Sequence, residues 1–428
     1  MTDTIFALAS GQPPAAIGVV RISGPGAASA LATLAGRVPA PRRASLALLA
    51  DPDDGAPLDR ALLLWFPGPA TATGEDLAEL HCHGGRAVTA AVLAALSRIA
   101  GLRAAAPGEF TRRAFENGRI DLSEAEGLAD LLMAETESQR RSAMAMAEGH
   151  FSRRIAGWES ALLRVSAAVE AELDFSDEDD VPGEGMEARI VADITALAAD
   201  VRGELRRPSA ERLRDGIRVV LAGPPNAGKS TLLNALAGRD AAIVSAVAGT
   251  TRDRIEVPVA LDGIAFLLTD TAGLRDGGDA VEAIGIERAQ EAIAAADILL
   301  WLGSPGNAPR ADALCITAQM DRPGWVLPAG TVIALSAVTG QGMTELHAQL
   351  QDRARVLVPR EGDYALHARQ RAMVAVLADA LDGAAAETDL LVVAEQLRLG
   401  RMAIDGLTGR AGTEAMLDAL FGQFCIGK

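Results

Sequence analysis

A glycine-rich stretch at residues 223–230, GPPNAGKS, follows an apolar strand-like run and precedes a run with helical spacing. Its glycines let backbone N–H groups curl around phosphate oxygens. Lys229 supplies positive charge at the β- and γ-phosphates, and the Ser230 hydroxyl suits Mg²⁺. In this context the stretch predicts a phosphate loop that binds a nucleoside triphosphate.

Two downstream segments have the order and spacing of GTPase switch regions. In VAGTTRD, Thr250 or Thr251 can close over the γ-phosphate and complete the Mg²⁺ shell. In LLTDTAG, Asp270 ends a strand-like run where a carboxylate that supports the Mg²⁺ ligands without binding the ion directly belongs, and the backbone N–H of Gly273 can meet the γ-phosphate. Each short motif is weak alone, but together with the phosphate loop they indicate a GTPase.

The two segments that would contact the nucleotide base match the GTPase pattern to different degrees. LSAVTG offers Ser336 and Ala337 for the loop beside guanine. The other segment should read Asn-Lys-x-Asp, and its nearest match is AQMD at residues 318–321. Asp321 keeps the carboxylate that accepts two hydrogen bonds from guanine. We therefore expect GTP preference to survive with weaker affinity.

The residue that would orient the attacking water is missing from its usual place. Ras-like proteins use a Gln after the switch glycine and an arginine finger, and Leu274 can replace neither. Glu282, Glu287 and Arg288 lie just downstream, although local sequence alone favours an exposed helix-start carboxylate for Glu282. The missing charge could be a bound monovalent cation, for which the side-chain carbonyl of Asn226 is suited.

Length, composition and net charge limit the classes of protein to which the chain can belong. The 428 residues suggest two to four domains, and 49% hydrophobic and 23% charged residues suit a soluble globular protein. A net charge of −17 argues against a generally basic nucleic-acid coat, but it leaves room for a local basic face. Three dispersed cysteines are not a disulfide framework, so we expect a reducing cytoplasm. The start lacks a basic n-region and the apolar runs are too short to span a bilayer, so we expect no membrane association.

The pattern of elements predicts a multidomain α/β and α protein. Short strand-like runs with one helix after HCHGG predict a small α+β domain, and long amphipathic runs then predict helices, one of them starting near Ser123. Five apolar runs alternating with helices predict a parallel-rich α/β sheet, inserted between two helical segments. The predicted parts are residues 1–118 (α+β), 119–214 (helical, first segment), 215–356 (inserted G domain) and 357–428 (helical, second segment).

Taken together, the motifs GPPNAGKSTLLNALAGRDAAIVS, DTAGLR, VEAIGIERA, GEDLAELHCHGG, PGEFTRRAFENGRIDLSEAEGLADL and the terminal FCIGK closely resemble the MnmE (TrmE) family of tRNA-modification GTPases. The resemblance covers nearly the whole chain. It implies an N-terminal α+β domain that dimerises and binds 5,10-methylene- or 5-formyl-tetrahydrofolate, a two-segment helical domain and an inserted Ras-like G domain. It also implies a homodimer that works with the flavoprotein MnmG on C5 of the wobble uridine of certain tRNAs, using a one-carbon unit from the folate.

The resemblance also implies roles for individual residues. Asn226, Ser245, Val247 and Thr250 are similar to K⁺ contacts, and Ser230 and Thr251 to Mg²⁺ ligands. Glu282 matches the family's water-activating glutamate, and K⁺ stands in for an arginine finger when two G domains meet. Arg21, Glu79, Arg119 and Lys428 match folate contacts. The predicted nucleotide and cation positions are Asn226, Ala227, Gly228, Lys229, Ser230, Thr231, Ser245, Ala246, Val247, Ala248, Gly249, Thr250, Thr251, Asp270, Thr271, Ala272, Gly273, Asp321, Ser336 and Ala337.

Several features keep alternative interpretations open. One alternative is a regulatory GTPase of the ribosome-assembly kind, without chemistry on RNA, but the N-terminal motifs and the terminal CIGK favour the tRNA-modifying enzyme. A scaffold with an inactive G domain is disfavoured because Lys229, Ser230, Asp270 and Glu282 are all present. His81, Cys82 and His83 favour a turn beside the folate site over a metal site. The clusters TRRAF, QRRSA and HFSRRIAGW are candidate tRNA contacts. The terminal CIGK does not fit a prenylation box, and we expect the second helical segment to return it to the N-terminal domain, with Cys425 near the chemistry.

Overall fold

The computed structural model describes residues 3–175, 186–239, 256–271, 279–360, 362–411, 414–422, 424 and 426–427. The chain divides into two compact units, Met1–Ala129 with Asp405–Lys428, and Asp130–Ile404. The first unit is built on an N-terminal sheet, and the second contains the G domain together with helices that precede and follow it in sequence.

The described strands form two sheets, one in each unit. They are β1 (Thr4–Leu8), β2 (Ile17–Ser23), β3 (Ser45–Ala50), β4 (Pro57–Phe66), β5 (Leu77–His83), β6 (Leu102–Ala104), β7 (Ile217–Ala222), β8 (Glu256–Leu261), β9 (Ile264–Asp270), β10 (Ile298–Trp301), β11 (Leu314–Thr317) and β12 (Ile333–Ala334).

The described helices dominate the second unit. They are α1 (Ala27–Ala35), α2 (Arg86–Ser97), α3 (Glu109–Glu116), α4 (Leu122–Met133), α5 (Glu137–Ala147), α6 (His150–Phe175), α7 (Met186–Leu205), α8 (Ala210–Asp215), α9 (Lys229–Arg239), α10 (Asp279–Ala295), α11 (Met343–Leu357), α12 (Ala368–Ala386), α13 (Leu390–Thr408) and α14 (Glu414–Phe421).

The N-terminal sheet has the order β3-β4-β5-β2-β1-β6 and is antiparallel except for the β1–β6 pair. Side chains alternate along its central strands, so that Val20, Ile22 and Leu80 face a core covered by α1 and α2. The opposite rows of β2 and β5 carry Arg21 and Glu79. The predicted α+β domain is confirmed.

The C-terminal residues belong to the first unit. Helix α14 packs on α4 through a cluster that includes Leu122, Leu417 and Phe421, and Phe424 continues this cluster. Gly427 has φ of 95°, and a Cβ there would lie 2.2 Å from the carbonyl oxygen of Leu8 in β1. Only glycine fits this approach. The expected return of the terminus to the N-terminal domain is therefore observed up to Gly427, whereas Cys425 and Lys428 lie outside the described residues.

The G-domain sheet has the order β12-β11-β10-β7-β9-β8 and is parallel except for the β8–β9 pair. The five predicted strand runs are β7, β9, β10, β11 and β12, so the parallel-rich sheet is confirmed. Strand β8 was not among the predicted runs. It pairs with β9 through a turn at Asp262 and Gly263, which have φ of 52° and 78°. This Asp-Gly pair is a hairpin signal that could have identified β8.

One predicted helix start is displaced. Asp121, not Ser123, caps α4: the N–H of Glu124 donates to Asp121 Oδ1 at 2.9 Å, and the N–H of Asp121 donates to Glu124 Oε2 at 2.8 Å. This reciprocal pair is a capping box. Ser123 is inside the helix and fully buried.

The second unit joins its helices to the G domain by hydrogen bonds. Ser138 in the first turn of α5 donates from its N–H and its hydroxyl to the carbonyl of Gly263, at 3.1 and 2.8 Å. Gln139 Nε2 donates to the carbonyl of Leu213 at 2.8 Å. The β8–β9 turn is therefore held against α5.

Across the described ranges, no helix has the length and apolar character needed to cross a membrane.

Candidate functional site

The phosphate loop lies between β7 and α9, where the sequence predicts it. Gly223, Asn226 and Gly228 all have positive φ, at 154°, 61° and 94°. A Cβ on Gly223 would come within 3.0 Å of the backbone of Leu302 in the neighbouring segment. The glycines therefore permit both the curl of the loop and its close packing.

Lys229 is buried and folds back over the loop. Its Nζ donates to the carbonyl oxygens of Gly223 and Pro224, at 3.1 and 2.9 Å. This geometry keeps the ammonium group inside the curl of the loop, where phosphate oxygens bind in proteins that use this motif.

Ser230 and Asp270 form a direct pair. Ser230 Oγ donates to Asp270 Oδ2 at 2.5 Å, so the first turn of α9 meets the carboxyl end of β9. Asp270 is buried. Hydroxyl and carboxylate oxygens are the hard ligands that Mg²⁺ prefers, and Mg²⁺ needs few protein ligands when it also binds phosphates. This donor set fits Mg²⁺.

A cavity of about 690 Å³ opens over the phosphate loop. Its wall includes the loop residues themselves, Thr271 after β9, and two residues from the base-side segment, Gln319 and Arg322. Thr271 is fixed because its hydroxyl donates to the carbonyl of Leu221 at 2.9 Å. The lining residues from the loop are Pro225, Asn226, Ala227, Gly228, Lys229, Ser230 and Thr231. A volume of this order suits a nucleotide-sized ligand.

The base-side residues are arranged around Asp321. A hydrogen bond with the Ser336 side chain holds the pKa of Asp321 below its usual range. Ser336 is fully buried, and its Oγ accepts from the N–H of Thr339 at 3.1 Å. Ala337 packs partly buried against the domain core. The carboxylate is therefore ionised at neutral pH and held as an acceptor.

Part of the predicted nucleotide site lies outside the described residues. These positions are Ser245, Ala246, Val247, Ala248, Gly249, Thr250, Thr251, Ala272 and Gly273. The backbone of Glu282 is in the first turn of α10, but its side chain is likewise not described.

Arg21 and Glu79 are direct cross-strand partners on β2 and β5. Arg21 donates from Nε and Nη2 to Glu79 Oε1 at 3.1 and 2.9 Å, and Glu79 Oε2 lies 3.1 Å from His81 Nε2. Burial would raise the pKa of Glu79, but the hydrogen bonds and charges of His81 and Arg21 outweigh it and lower that pKa. The result is a half-buried carboxylate that is ionised at neutral pH beside a guanidinium group.

Arg119 is exposed in the turn after α3. A Cβ added to Gly74 would lie 3.2 Å from Arg119 Cγ, so this turn packs against the loop between β4 and β5. The same loop is held by Asn117 Nδ2, which donates to the carbonyl of Thr73 at 2.7 Å. Arg119 thus lies in the same unit as Arg21 and Glu79, whereas Lys428 lies outside the described residues.

His81, Cys82 and His83 are the last residues of β5, and the predicted turn begins only at Gly84. Gly84 does permit close approach, because a Cβ there would lie 2.4 Å from the carbonyl oxygen of Ala15. His83 pairs with Asp59 at 2.7 Å. Cys82 faces the core, and burial, with the charge of Asp59, raises the pKa of its thiol to about 12.

Within the TRRAF cluster, Arg113 is buried, so the prediction of a tRNA contact is wrong for that residue. Arg113 is 1% exposed and binds Asp3, Glu75 and Glu109 with contacts of 3.0–3.3 Å. Arg112 is engaged by acidic residues of α3 and α14. Both guanidinium groups are committed to ion pairs that organise the first unit.

Sequence reasoning did not identify Gln319 and Arg322 as site residues. Gln319 stands where the Asn-Lys-x-Asp pattern has its lysine, Arg322 follows the pattern's aspartate, and both line the cavity. Gln319 Nε2 donates to the carbonyl of Asn226 at 3.1 Å. The departure of AQMD from Asn-Lys-x-Asp was the available signal.

Comparisons with known proteins match both units. A family model described as "GTP-binding protein TrmE N-terminus" matches residues 4–119, and one described as "MnmE helical domain" matches residues 122–425. A protein named tRNA modification GTPase MnmE from Rhizorhabdus wittichii is 64% identical over 430 residues, covering 100% of this chain and 97% of that protein. One of the same name from Novosphingobium aromaticivorans is 59% identical over 437 residues, covering 100% of both chains. Among solved structures, the G domain of the T. maritima FeoB iron transporter matches with 23% identity and a TM-score of 0.24, covering 32% of this chain and 98% of that one, a likeness too low to carry an argument.

Proposed function

The chain belongs to the MnmE family of tRNA modification GTPases, and on that premise we propose that it hydrolyses GTP and couples hydrolysis to the modification of tRNA. The observation that carries the proposal is the joint presence of full-length family similarity and a built phosphate loop, with Lys229 inside the loop and Ser230 paired to Asp270. Matches to both the N-terminal and helical families favour this function over a regulatory switch without chemistry on RNA.

Different residues of the chain bind the phosphates, the metal ion and the base of the nucleotide. Loop N–H groups and Lys229 bind and orient the β- and γ-phosphates. Ser230 and Thr251 would hold Mg²⁺, with Asp270 orienting the Ser230 hydroxyl, and the ion would supply a positive charge that neutralises the phosphate oxygens. Asp321, oriented by Ser336, accepts from the guanine edge. We assign to Glu282 the role of orienting and activating water, because it matches the family's water-activating glutamate.

A monovalent cation fits the same proposal. Asn226 is exposed in the phosphate loop with a left-handed backbone, and its side-chain carbonyl is a hard oxygen ligand for K⁺. Ser245, Val247 and Thr250 are the other proposed K⁺ contacts. The cation would supply the charge that Leu274 cannot, in a reaction completed when the G domains of two copies meet.

We assign the one-carbon donor, a tetrahydrofolate, to the N-terminal unit. Glu79 is a suitable partner for the donor edge of a pterin, because it is an ionised, half-buried carboxylate. Arg21, Arg119 and Lys428 carry the positive charge that the anionic glutamate tail requires. Gly427 lies against Leu8, one residue beyond the register partner of Arg21 on β1, which supports a role for the terminal lysine at this site.

An apolar sheet face supports a homodimer. Ile17, Leu46, Leu48 and Leu62 are 57%, 57%, 50% and 37% exposed. Leu46 pairs with Leu62, and Leu62 with His81, so this row continues directly to the Glu79 side of β5. Contiguous exposed apolar surface marks an interaction site. We propose that a second copy covers this face, and that the flavoprotein MnmG joins the dimer to act on C5 of the wobble uridine.

Steady-state hydrolysis by the purified protein tests the G-domain part of the proposal. GTP should be hydrolysed faster than ATP, and faster in KCl than in NaCl. Glu282→Ala should lose the K⁺-stimulated rate and retain GTP binding. The control variant Glu287→Ala, at an exposed position of the same helix, should retain both. Equal rates with GTP and ATP, or with K⁺ and Na⁺, would refute this part.

A further inference from the structure

Two residues with left-handed backbone line the nucleotide cavity and contact each other. Asn226 in the phosphate loop has φ of 61°, and Gln319 in the base-side segment has φ of 62°. Such conformations are unfavourable for residues other than glycine, and they persist where surrounding contacts enforce them, often at ligand clamps. Here the enforcing contact joins the two: Gln319 Nε2 donates to the carbonyl of Asn226 at 3.1 Å.

Gly228 makes this approach possible. A Cβ at Gly228 would lie 3.3 Å from Gln319 Nε2 and 3.5 Å from the Cβ of Ala318. The base-side segment therefore packs directly on the phosphate loop, and the small Ala318 leaves the contact to the Gln319 amide. This amide is neutral, so the segment supplies a hydrogen bond to the loop without a charge at position 319.

Arg322 brings a positive charge to the same wall. The N–H of Arg322 donates to the carbonyl of Gln319 at 3.0 Å, which closes a tight turn around Asp321. The Arg322 side chain lines the cavity with the phosphate-loop residues. Its charge also acts on the Asp321 carboxylate and contributes to lowering that pKa.

We infer that Gln319 and Arg322 replace a missing asparagine–lysine pair: Gln319 positions the phosphate loop through the carbonyl of Asn226, and Arg322 supplies the cation at the cavity wall. In this arrangement, discrimination for guanine depends on Asp321, oriented by Ser336, and not on Gln319 or Arg322. Retention of the nucleotide depends on Gln319 and Arg322, whichever base the nucleotide carries. The inference rests on the proposed GTPase function and deepens it.

Nucleotide release from the full-length protein tests the role of Gln319. Gln319→Leu removes the amide donor at similar size, and fluorescent mant-GDP should then dissociate about three- to ten-fold faster, since one hydrogen bond to the loop is lost. Gln319→Lys restores a donor and should release mant-GDP within about two-fold of the wild-type rate. Gln290→Leu, at an exposed helix glutamine, is the matched control and should leave the rate unchanged. A wild-type rate in Gln319→Leu, or a fast rate in Gln319→Lys, would overturn the role of the amide donor.

Comparing affinities for guanine and adenine nucleotides tests whether Gln319 and Arg322 act on the phosphate loop or on the base pocket. In Gln319→Leu and Arg322→Gln, affinities for mant-GDP and mant-ADP should fall by the same factor, about two- to five-fold for Arg322→Gln. Asp321→Asn should instead abolish the GDP preference and admit xanthosine diphosphate. Arg355→Gln is the exposed-arginine control. A change in the GDP-to-ADP ratio in Gln319→Leu would show that Gln319 shapes the base pocket, contrary to the inference. Absence of GTP turnover in the wild-type protein would refute the proposed function instead, because the release rates are measured with GDP.

Discussion

Replacing Arg113 by Met should strongly destabilise the first unit. Arg113 is 1% exposed, and its guanidinium contacts Asp3, Glu75 and Glu109. Removing one member of a buried ion-pair network typically costs about 3–5 kcal/mol, because the remaining charges lose their compensation. In the variant, Glu109 still pairs with Arg103, and Glu75 still accepts a hydrogen bond from the Ser23 hydroxyl at 2.7 Å. We therefore expect a cost at the lower end of this range, about 3 kcal/mol.

Amide hydrogen exchange in the intact protein measures this cost locally, which matters because a multidomain chain has no single unfolding free energy. Peptides covering β2 and β5 should lose about two orders of magnitude of protection in Arg113→Met, corresponding to about 3 kcal/mol. Arg112→Met is the matched control on the same helix. Its partners Glu414 and Asp418 are 78% and 64% exposed, so it should cost at most about 1 kcal/mol. Equal loss of protection in the two variants would show that the burial of Arg113 does not make its ion pairs more important than those of Arg112.

The same network predicts an acid-sensitive first unit. Burial would raise the pKa of Glu109, but hydrogen bonds from Arg103, the N–H of Ala106 and Arg113 lower it. A carboxyl group with a lowered folded-state pKa contributes stability that is present above its unfolded pKa, about 4.3, and lost as pH falls through the folded pKa. Protection of β2 and β5 should therefore decline from about pH 4 downward, and less steeply in Arg113→Met. An unchanged slope in the variant would contradict this assignment.

Three further predictions concern function. Asp270→Asn should raise the Mg²⁺ concentration for half-maximal GTP hydrolysis by about 10–100-fold, since the pair with Ser230 orients the metal ligands; an unchanged Mg²⁺ requirement would exclude that role. Glu79→Gln should weaken tetrahydrofolate binding, measured by calorimetry, by about 10–100-fold while leaving GTP hydrolysis intact, and undiminished binding would remove Glu79 from the site. Deleting the last four residues should abolish tRNA modification and spare GTP hydrolysis, and equal loss of both activities would contradict the assignment of the terminus to the N-terminal unit.

Local pattern was sufficient for much of the fold. The glycine spacing and alternating apolar runs predicted β7, the phosphate loop and α9 in their observed order, because the chemistry and the strand–loop–helix context are contiguous in sequence. Strand β8 was missed since Pro258 interrupts a short run that lies at the sheet edge, where proline is tolerated. Its Asp262–Gly263 turn was a stronger signal than the run itself.

Contacts between distant segments could not be read from local pattern. Arg21 and Glu79 are 58 positions apart, and their pairing depends on the register of two antiparallel strands. The Gln319–Asn226 contact spans 93 positions and depends on the packing of the base-side segment on Gly228. Arg113 looked like part of a basic surface because sequence spacing does not reveal that three acidic side chains surround it.

Nucleoside analysis of tRNA from a strain lacking the gene is the most direct test of whether this GTPase modifies tRNA. Mass spectrometry should show loss of the C5 modification from the wobble uridine, with restoration by the wild-type gene. Genes encoding Ser230→Ala or Glu79→Gln should fail to restore it, whereas the Glu287→Ala control should succeed. Wobble-uridine modification that is unchanged in the deletion strain would contradict the proposed function.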